Sequence, residues 1–212
     1  MTPMMAAHPI SPAERSRPGL RERKKIRTRE AIRSATYELI EERGYDATTI
    51  EQIADRAEVS PSTVLRYFPA KEDIVLTDEL CPLLLAQFRA RPADEPWLDS
   101  LRNVLRRAID HGIGERPEVT RLRCRLMAEV PAVRSRMLEN LAGTGHLLGA
   151  AIGERAGRDP ESLEVRVLTT SLLAALTEVA QYWARTGFRD DPADLADRAL
   201  AVYDPDLGAE NP

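Results

Sequence analysis

The sequence predicts an all-α protein with an N-terminal three-helix unit and a C-terminal helical bundle. Apolar residues recur with helical spacing from about residue 20 to about residue 203, and the breaks between these runs contain glycine or proline. No stretch alternates apolar and polar residues with β-branched enrichment between hairpin turns, so no sheet is expected. The segment 48–74 holds two short helices that lie close together in sequence, which is typical of a helix-turn-helix.

The chain is expected to divide into four segments. Residues 1–19 contain four prolines and few large apolar side chains, so they are predicted to form a disordered arm. Residues 20–70 are predicted to form the three-helix unit. Residues 71–205 are predicted to form the bundle, and residues 206–212 a tail.

Each helix of the N-terminal unit has its own start or stop signal. The first is predicted from Leu20 to Arg43, where Gly44 ends it. The second is predicted to begin with a capping box of Thr48 and Glu51. Ser60 offers the N-cap of the third helix, and Pro61 occupies its first position, where a missing N–H costs nothing.

The bundle helices follow from the same signals. Ala70 is a weak cap for the first of them, since it lacks the side-chain oxygen that Ser or Asn would supply. The predicted helices run from Lys71 to before Pro92 and then near residues 95–114, 117–129, 131–156, 161–187 and 192–203.

Charge is distributed unevenly along the chain. The net charge is −4 overall, but the first 71 residues carry +3 and the remaining 141 carry −7. Nine lysines and arginines, Arg27 among them, lie between residues 14 and 33 against three acidic residues. Such a run is either a solvated helix face or a surface for phosphate contact. Its position next to the helix-turn-helix favours phosphate contact.

The second short helix of the helix-turn-helix carries the side chains that suit DNA. Ser60, Ser62 and Thr63 at its start are small donors that can reach phosphates or base edges in the major groove. Arg66, one turn further, suits a phosphate or a guanine edge, and Tyr67 can bind a phosphate through its hydroxyl. The sequence therefore predicts double-stranded DNA as a partner.

No motif of catalysis, metal binding or cofactor binding is present in the sequence. Cys81 and Cys124 are too few and too far apart for a disulfide framework or a metal site, and they are interpreted as packed thiols or, less readily, as oxidant sensors. The three histidines are isolated. The N-terminus has no long apolar run, so neither a signal peptide nor a membrane span is expected, and a cytoplasmic location is predicted.

Two features of the last long helices suggest close packing. Residues 167–176 carry no charge, so this helix is predicted either to contact a second subunit or to be a central core helix of its own chain. A glycine recurs every fourth residue from Gly145 to Gly157, which indicates a close helix crossing or the wall of a ligand tunnel. The predicted dimer contacts are Leu168, Leu172, Leu176, Val179 and Tyr182.

The segment TTIEQIADRAEVSPSTVLRYFPAKEDIV resembles the N-terminal domain of the tetracycline-repressor (TetR) family over about residues 21–78. The resemblance implies a helical protein that dimerises through its last two long helices. It also implies a C-terminal pocket for a small inducer and release of a palindromic operator when the inducer binds. By position, the family's DNA contacts match Thr28, Thr48, Thr49, Ser60, Pro61, Ser62, Thr63, Arg66, Tyr67 and Lys71.

The sequence departs from the family pattern at three positions. Glu58 and Ser62 stand where glycine is common, and Leu65 stands where an aromatic residue is common, which puts one phosphate contact in doubt. The alternative is a helical interaction or enzyme module in which the helix-turn-helix is only structural. Failure to bind duplex DNA at low salt would favour that alternative.

The pocket of the bundle is predicted from residue size alone. An acidic C-terminal part disfavours anionic ligands near its surface, unless a buried arginine such as Arg123 or Arg125 reverses this locally. His146 is either a pocket residue or a hydrogen-bonded bundle histidine. Large or polar-tipped residues on core-facing sides are the candidates: Phe88, Trp97, Leu101, Leu105, Met127, His146 and Trp183.

Overall fold

The computed structural model describes residues 19–76 and 81–203, and over these ranges the backbone forms ten α-helices and no strand. The predicted all-α class is therefore confirmed. The chain divides into a first unit that ends at Pro69 and a second that begins at Ala70. The helices are α1 (Leu20–Arg43), α2 (Ile50–Arg56), α3 (Pro61–Tyr67), α4 (Lys71–Leu76), α5 (Cys81–Arg89), α6 (Trp97–Glu115), α7 (Pro117–Glu129), α8 (Pro131–Ala156), α9 (Leu163–Arg185) and α10 (Pro192–Ala201).

The first unit packs α1, α2 and α3 around a small apolar core. Ile53 of α2 and Val64 of α3 are fully buried, and Ile32 of α1 is buried with them. An ion pair fastens α1 to α2 at the surface, because Arg56 donates to both carboxylate oxygens of Glu42 at 2.8 and 2.9 Å. These hydrogen bonds raise the pKa of Arg56 and lower that of Glu42.

The capping box of α2 lies one residue later than the sequence predicts. Thr49 is the N-cap, its hydroxyl accepts from the backbone N–H of Gln52, and the Gln52 side chain accepts from the backbone N–H of Thr49. Thr48 is buried, and its hydroxyl donates to the Gly44 carbonyl at 2.8 Å. The predicted box of Thr48 with Glu51 is thus wrong, because the Thr48 hydroxyl is committed to the end of α1.

The region predicted as one helix from Lys71 to before Pro92 contains α4 and α5, with residues 77–80 outside the described ranges. The weak cap at Ala70 is compensated from within α4, since the Ala70 N–H donates to the Asp73 carboxylate at 3.1 Å. The same carboxylate accepts two hydrogen bonds from Arg136 of α8, at 2.8 and 3.0 Å. The predicted arm, apart from Gly19, and the predicted tail also lie outside the described residues.

The glycine row of α8 marks its crossing with α9. A Cβ added at Gly145 would meet the Leu173 side chain, and one at Gly149 would meet Thr169, each at 3.7 Å. A Cβ at Gly153 would lie only 2.8 Å from the main-chain oxygen of Arg158. These contacts favour the close-crossing interpretation of the row over a ligand tunnel.

Arg155 of α8 holds the loop between α5 and α6 in place. Its guanidinium donates to the main-chain oxygens of Arg91, Pro92 and Glu95 at 3.0, 2.7 and 2.9 Å and to the Ser100 hydroxyl at 3.0 Å. A single side chain therefore satisfies several carbonyls that follow the end of α5. This loop is fixed by a residue about 60 positions later in the chain.

Candidate nucleic-acid interface and ligand cavity

Helix α3 begins with a cluster of three hydroxyl groups, of which those of Ser60 and Ser62 belong to exposed residues and that of Thr63 to a half-buried one. Ser60 is the N-cap, and its Oγ accepts from the backbone N–H of Thr63 at 3.2 Å. The hydroxyls of Ser62 and Thr63 each lie 2.9 Å from Ser60 Oγ. Pro61 fills the first helical position, as predicted. Three small groups that can donate or accept hydrogen bonds thus meet at one helix end, a chemistry suited to phosphates and base edges.

The next turn of α3 has a charged outer side and an apolar inner side. Arg66 is exposed, and its guanidinium lies 5.5 Å from the centre of the Tyr67 ring. Val64 and Phe68 point into the core of the first unit, at 0% and 1% exposure. Leu65 is 47% exposed, so it presents an apolar side chain on the outer side of α3.

The turn between α2 and α3 requires a left-handed backbone conformation. Glu58 has a φ of 55°, a region that is costly for residues with a Cβ atom. This is the position at which the family resembled above usually has glycine. The backbone conformation gives the physical reason for that preference and shows that this chain tolerates glutamate there.

The N-terminal part of α1 carries an exposed positive surface. Arg21, Arg23 and Arg27 are exposed and occupy the first two turns of the helix. Thr28 is partly buried, and its hydroxyl donates to the Lys24 carbonyl at 2.9 Å. The charges can approach phosphates, whereas the Thr28 hydroxyl is already engaged with its own helix.

The predicted DNA contacts from other elements are placed less uniformly. Thr49 is exposed at the start of α2, as a DNA contact requires. Thr48 is 1% exposed, which corrects its assignment as a DNA contact because a buried hydroxyl cannot reach a phosphate. Lys71 begins α4 and belongs to the second unit.

The second unit contains a cavity of about 270 Å³ between α5, α6, α7, α9 and α10. A wider groove of about 400 Å³ between α9 and α10 is more open to solvent. We take the more enclosed cavity as the candidate ligand site because enclosure removes more of a ligand's surface from water. Its lining is mostly apolar, with residues Leu84, Leu105, Ala108, Ile109, Gly112, Ile113, Thr120, Arg123, Cys124, Leu176, Val179, Ala180, Trp183, Pro192 and Ala196.

Two of the predicted ligand residues, Leu105 and Trp183, line this cavity. Phe88 and Leu101 belong to the apolar core and border a smaller space of about 100 Å³. Met127 packs against the cluster that includes Trp183.

The two remaining ligand predictions lie elsewhere in the second unit. Trp97 lines a separate cleft with Arg158 and Glu164. His146 is exposed, and its Nδ1 lies 3.2 Å from the Glu161 carboxylate. His146 is therefore not a cavity residue, and its place on the bundle helix α8 beside Glu161 agrees with the alternative of a bundle histidine that pairs with a polar partner.

Most of the cavity lining was not predicted from the sequence. The α6 contributions, Leu105, Ala108, Ile109, Gly112 and Ile113, recur with helical spacing on one side of that helix. This spacing indicates that one side of α6 is buried, but it does not show whether side chains fill the space on that side. A prediction of ligand residues from large size alone misses Ala108 and Gly112, because small residues leave the space that forms the cavity.

The polar groups of the cavity come from consecutive turns of α7. The Thr120 hydroxyl donates to the Gly112 carbonyl of α6 at 3.0 Å. Burial raises the pKa of the Cys124 thiol to about 11, so this thiol stays protonated near neutral pH and is a poor candidate for an oxidant sensor. Arg123 Nε donates to the Val75 carbonyl of α4 at 3.0 Å.

The end of α9 shapes the wall of the cavity at Trp183. The indole N–H donates to the Asp190 carbonyl at 2.8 Å, and the Phe188 ring packs edge-on at 4.8 Å between ring centres. Phe188 has a φ of 60°, so its backbone is held in a costly left-handed conformation by these contacts.

The predicted dimer contacts on α9 have different orientations. Leu172 is fully buried in its own bundle, so it cannot contact a second subunit there, which corrects that assignment. Leu176 and Val179 line the cavity, and Leu168 packs against the core. Tyr182 is 43% exposed and remains available.

In the described part of the chain, no helix combines the length and apolar character that crossing a bilayer requires. The same residues contain no cluster of histidine, cysteine or acidic side chains arranged to hold a metal ion.

Two family profiles match the chain. The profile described as "Bacterial regulatory proteins, tetR family" matches residues 32–77. The profile described as "MftR C-terminal domain" matches residues 95–207, which is more than half of the chain. The first match covers the helix-turn-helix, and the second covers α6 to α10.

Individual relatives agree with these profiles. The chain is 38% identical over 111 residues to the HTH-type transcriptional regulator TcmR of Streptomyces glaucescens, and this match covers 50% of the chain and 49% of TcmR. The chain thus matches about half the length of that relative.

Two solved structures share the fold. FadR of Bacillus halodurans, a fatty acid degradation regulator, is 20% identical with a TM-score of 0.57, covering 87% of this chain and 96% of that one. FadR of Thermus thermophilus, a repressor solved in complex with lauroyl-CoA, is 23% identical with a TM-score of 0.53, covering 82% and 92%.

Proposed function

The chain belongs to the tetR family of bacterial regulatory proteins, and on this premise we propose that it is a repressor of transcription. It binds a palindromic DNA operator as a homodimer and leaves the operator when a small-molecule inducer binds. The observation that carries the proposal is the exposure of Ser60, Ser62 and Arg66, with the half-buried Thr63 beside them, on a helix whose opposite side is buried. Because such a protein acts on the chromosome of a bacterium, the proposal includes a cytoplasmic location.

The relatives support a regulator over a helical interaction or enzyme module. TcmR is named as a transcriptional regulator, and the tetR profile covers the helix-turn-helix itself. Ser62 and Arg66 are exposed on α3 beside the N-cap hydroxyl of Ser60, where they can meet a phosphate or a base edge.

Recognition by one copy of α3 would be weak. Only a few side chains of this seven-residue helix can reach base edges, and each good contact contributes about 1–3 kcal/mol of discrimination. Two copies held at a fixed spacing read two half-sites and multiply the discrimination. The proposal therefore requires a homodimer.

The exposed side of α9 is our proposed dimer contact. Leu163 and Val167 are 73% and 58% exposed, and Ala174 follows them with helical spacing on the same side. Leu138 of α8, also exposed, is a further apolar candidate. In a dimer, the α8–α9 pairs of the two subunits would bury these apolar side chains against each other. Their removal from water would favour association.

The experiment that tests DNA binding starts by selecting bound duplexes from random DNA with the full chain. Arg66→Ala and Lys71→Ala are then expected to bind the selected duplex about tenfold to a hundredfold more weakly in fluorescence anisotropy, because each loses a cationic contact to a phosphate or a base. Loss of a phosphate contact should also reduce, by about one, the slope of the logarithm of affinity against the logarithm of salt concentration.

The control for these variants is Arg89→Ala. Arg89 is an exposed arginine of α5 that pairs with Glu154 at 2.8 Å within the second unit. It should leave operator affinity unchanged. Full affinity in both Arg66→Ala and Lys71→Ala would contradict the proposed DNA contacts, and failure of the wild type to select any duplex would contradict the proposed function.

The dimer is tested by Val167→Asp in sedimentation velocity. A carboxylate in the proposed apolar contact should produce a monomer and abolish tight operator binding. Leu147→Asp is the matched control, since Leu147 is 51% exposed on α8 and lies two positions from Gly145, on the side of α8 away from α9. A Val167→Asp protein that stays dimeric would refute this interface.

A further inference from the structure

Among the described residues that line the ligand cavity, Arg123 of α7 is the one with a charged side chain. The thiol of Cys124 also borders the cavity and stays protonated. The remaining lining is apolar except for Thr120, whose hydroxyl is engaged with the Gly112 carbonyl. An apolar space with one guanidinium is complementary to an apolar molecule that carries one negative charge.

The same guanidinium binds α4. Arg123 Nε donates to the Val75 carbonyl at 3.0 Å, in the last turn of that helix. A guanidinium has five N–H donors arranged as a fork, so Val75 uses one of them. A carboxylate that binds side-on takes Nε together with one terminal nitrogen. It therefore needs the donor that the Val75 carbonyl now occupies.

The N-terminal part of α4 has a second and different anchor. Asp73 accepts two hydrogen bonds from Arg136 of α8, and Arg136 does not line the cavity. A ligand in the cavity can thus compete for the Arg123 anchor and leave the Arg136 anchor intact. In sequence, α4 begins two residues after Pro69, the last residue of the first unit.

We propose that the cavity binds a small apolar carboxylate and that Arg123 is the residue that senses it, exchanging its hydrogen bond to the Val75 carbonyl for the ligand's anionic group. This inference rests on the proposed function and names the chemical class of its inducer. Binding of the ligand and anchoring of the end of α4 exclude each other, so the two equilibria are linked. The ligand acts on α4 by removing its anchor.

The size of the cavity limits the ligand further. At about 270 Å³ it lies just below the range of about 300–1,000 Å³ that small-molecule sites occupy, so the ligand must be small. A fused ring pair or a short alkyl chain fits this space. Suitable probes are 2-naphthoate and octanoate, each compared with its neutral amide, because acid and amide share their shape and differ in charge.

The test is calorimetric titration of the full chain with the two acids and the two amides. At least one acid should bind wild type tenfold or more tightly than its amide, since only the acid gains a charge-assisted hydrogen bond. In Arg123→Met this preference should vanish while the amide binds as before, which shows that the cavity is intact. Arg123→Lys should keep part of the preference because it keeps the charge.

Two matched variants exclude a general effect of charge. Arg121→Met removes an arginine of the same helix that pairs with Glu118 and does not line the cavity. Arg136→Met removes the other anchor of α4. Both should retain the preference for the acid. Equal binding of acid and amide to wild type, binding of neither acid, or loss of the preference in Arg121→Met would overturn the proposal.

The regulatory step is read separately on the operator. With a duplex selected by ligand-free protein, the preferred acid should weaken operator binding at least tenfold in wild type. It should cause no further change in Arg123→Met, which already lacks the hydrogen bond to Val75. An acid that binds through Arg123 and leaves operator affinity unchanged would overturn the sensing role. If no duplex is selected at all, the proposed function fails, while the calorimetric comparison still decides the ligand class.

Discussion

The two candidate sites of this protein are built in opposite ways. The recognition surface lies on α3, where Ser60 to Tyr67 follow one another in sequence and a single helix start sets their positions. The cavity takes its lining from five helices and from residues between 84 and 196. A site on one helix can be predicted from the spacing of its residues. A site made by several helices depends on how those helices pack.

This comparison predicts that contacts between residues distant in sequence matter most in the second unit. The largest effect is expected for Arg155→Met, which removes a charged donor from the carbonyls of the α5–α6 loop. The free energy of unfolding should fall by about 2–3 kcal/mol in denaturant titration. Hydrogen exchange should place the loss in α5 and α6 while leaving α2 and α3 protected.

Arg89→Met serves as the reference for that variant, since Arg89 makes an exposed ion pair with Glu154 of the same helix as Arg155. An exposed pair contributes at most about 1 kcal/mol. An equal decrease in the free energy of unfolding in the two variants would show that the α5–α6 loop does not depend on Arg155. It would also contradict the importance of contacts between residues distant in sequence in the second unit.

A pair of glycine substitutions in α8 sharpens the comparison within one helix. Gly153→Ala should lower the free energy of unfolding by about 1–3 kcal/mol, because its Cβ would press on the Arg158 carbonyl at 2.8 Å. Gly143→Ala should raise it by roughly 0.5–1 kcal/mol, since nothing lies within 4 Å and alanine favours the helix. Thermal unfolding measures both, and shifts of the same sign would contradict the close contact between Gly153 and the turn that precedes α9.

An acid titration tests the same loop through its charges. The hydrogen bonds that Glu95 accepts from Arg91 and Ser100 lower its pKa from 4.5 to about 2. Because the folded pKa is below the unfolded one, Glu95 stabilises the fold above pH 4.5, and this contribution is lost as the pH falls from about 4.5 to about 2. Denaturant titrations across that window should show a steeper loss in wild type than in Glu95→Gln, and parallel slopes would refute this assignment.

The smallest effect is expected in the first unit, where the departure from the family pattern is purely local. Glu58→Gly should raise the free energy of unfolding by roughly 0.5–1 kcal/mol, because glycine adopts a φ of 55° without steric cost. Asp55→Gly, three positions earlier and exposed within α2, should instead lower it by a similar amount. Equal effects of the two changes, measured by thermal unfolding, would show that the turn is not strained.

The sequence by itself determined the bounds of several helices and the residues of the proposed recognition surface. Prolines and glycines mark where helices begin and end, so α7 and α8 begin and end at the predicted residues, and α1 runs from Leu20 to Arg43 as predicted. The start of α3 needed only Ser60 and Pro61, because a cap acts on the backbone within three residues. Local interactions of this kind are present in the sequence before any tertiary contact forms.

Only the tertiary structure decided how each side chain is used. Thr48 and Thr49 are both cap candidates, and burial of Thr48 against Gly44 assigns the cap to Thr49. Leu172 faces its own core, although the uncharged run of residues 167–176 would suit a dimer contact equally well. Helical periodicity defines which residues share a side, but the partner of that side comes from packing.

The cavity shows most clearly what helical periodicity does not predict. Large side chains such as Phe88 fill space and become core, whereas small ones such as Ala108 and Gly112 leave the space that a ligand can occupy. The contact between Arg123 and Val75 joins residues 48 positions apart, and no spacing rule connects them. Which arginine lines the cavity, and which carbonyl it holds, follows from how the helices of the second unit pack and not from the pattern of either helix alone.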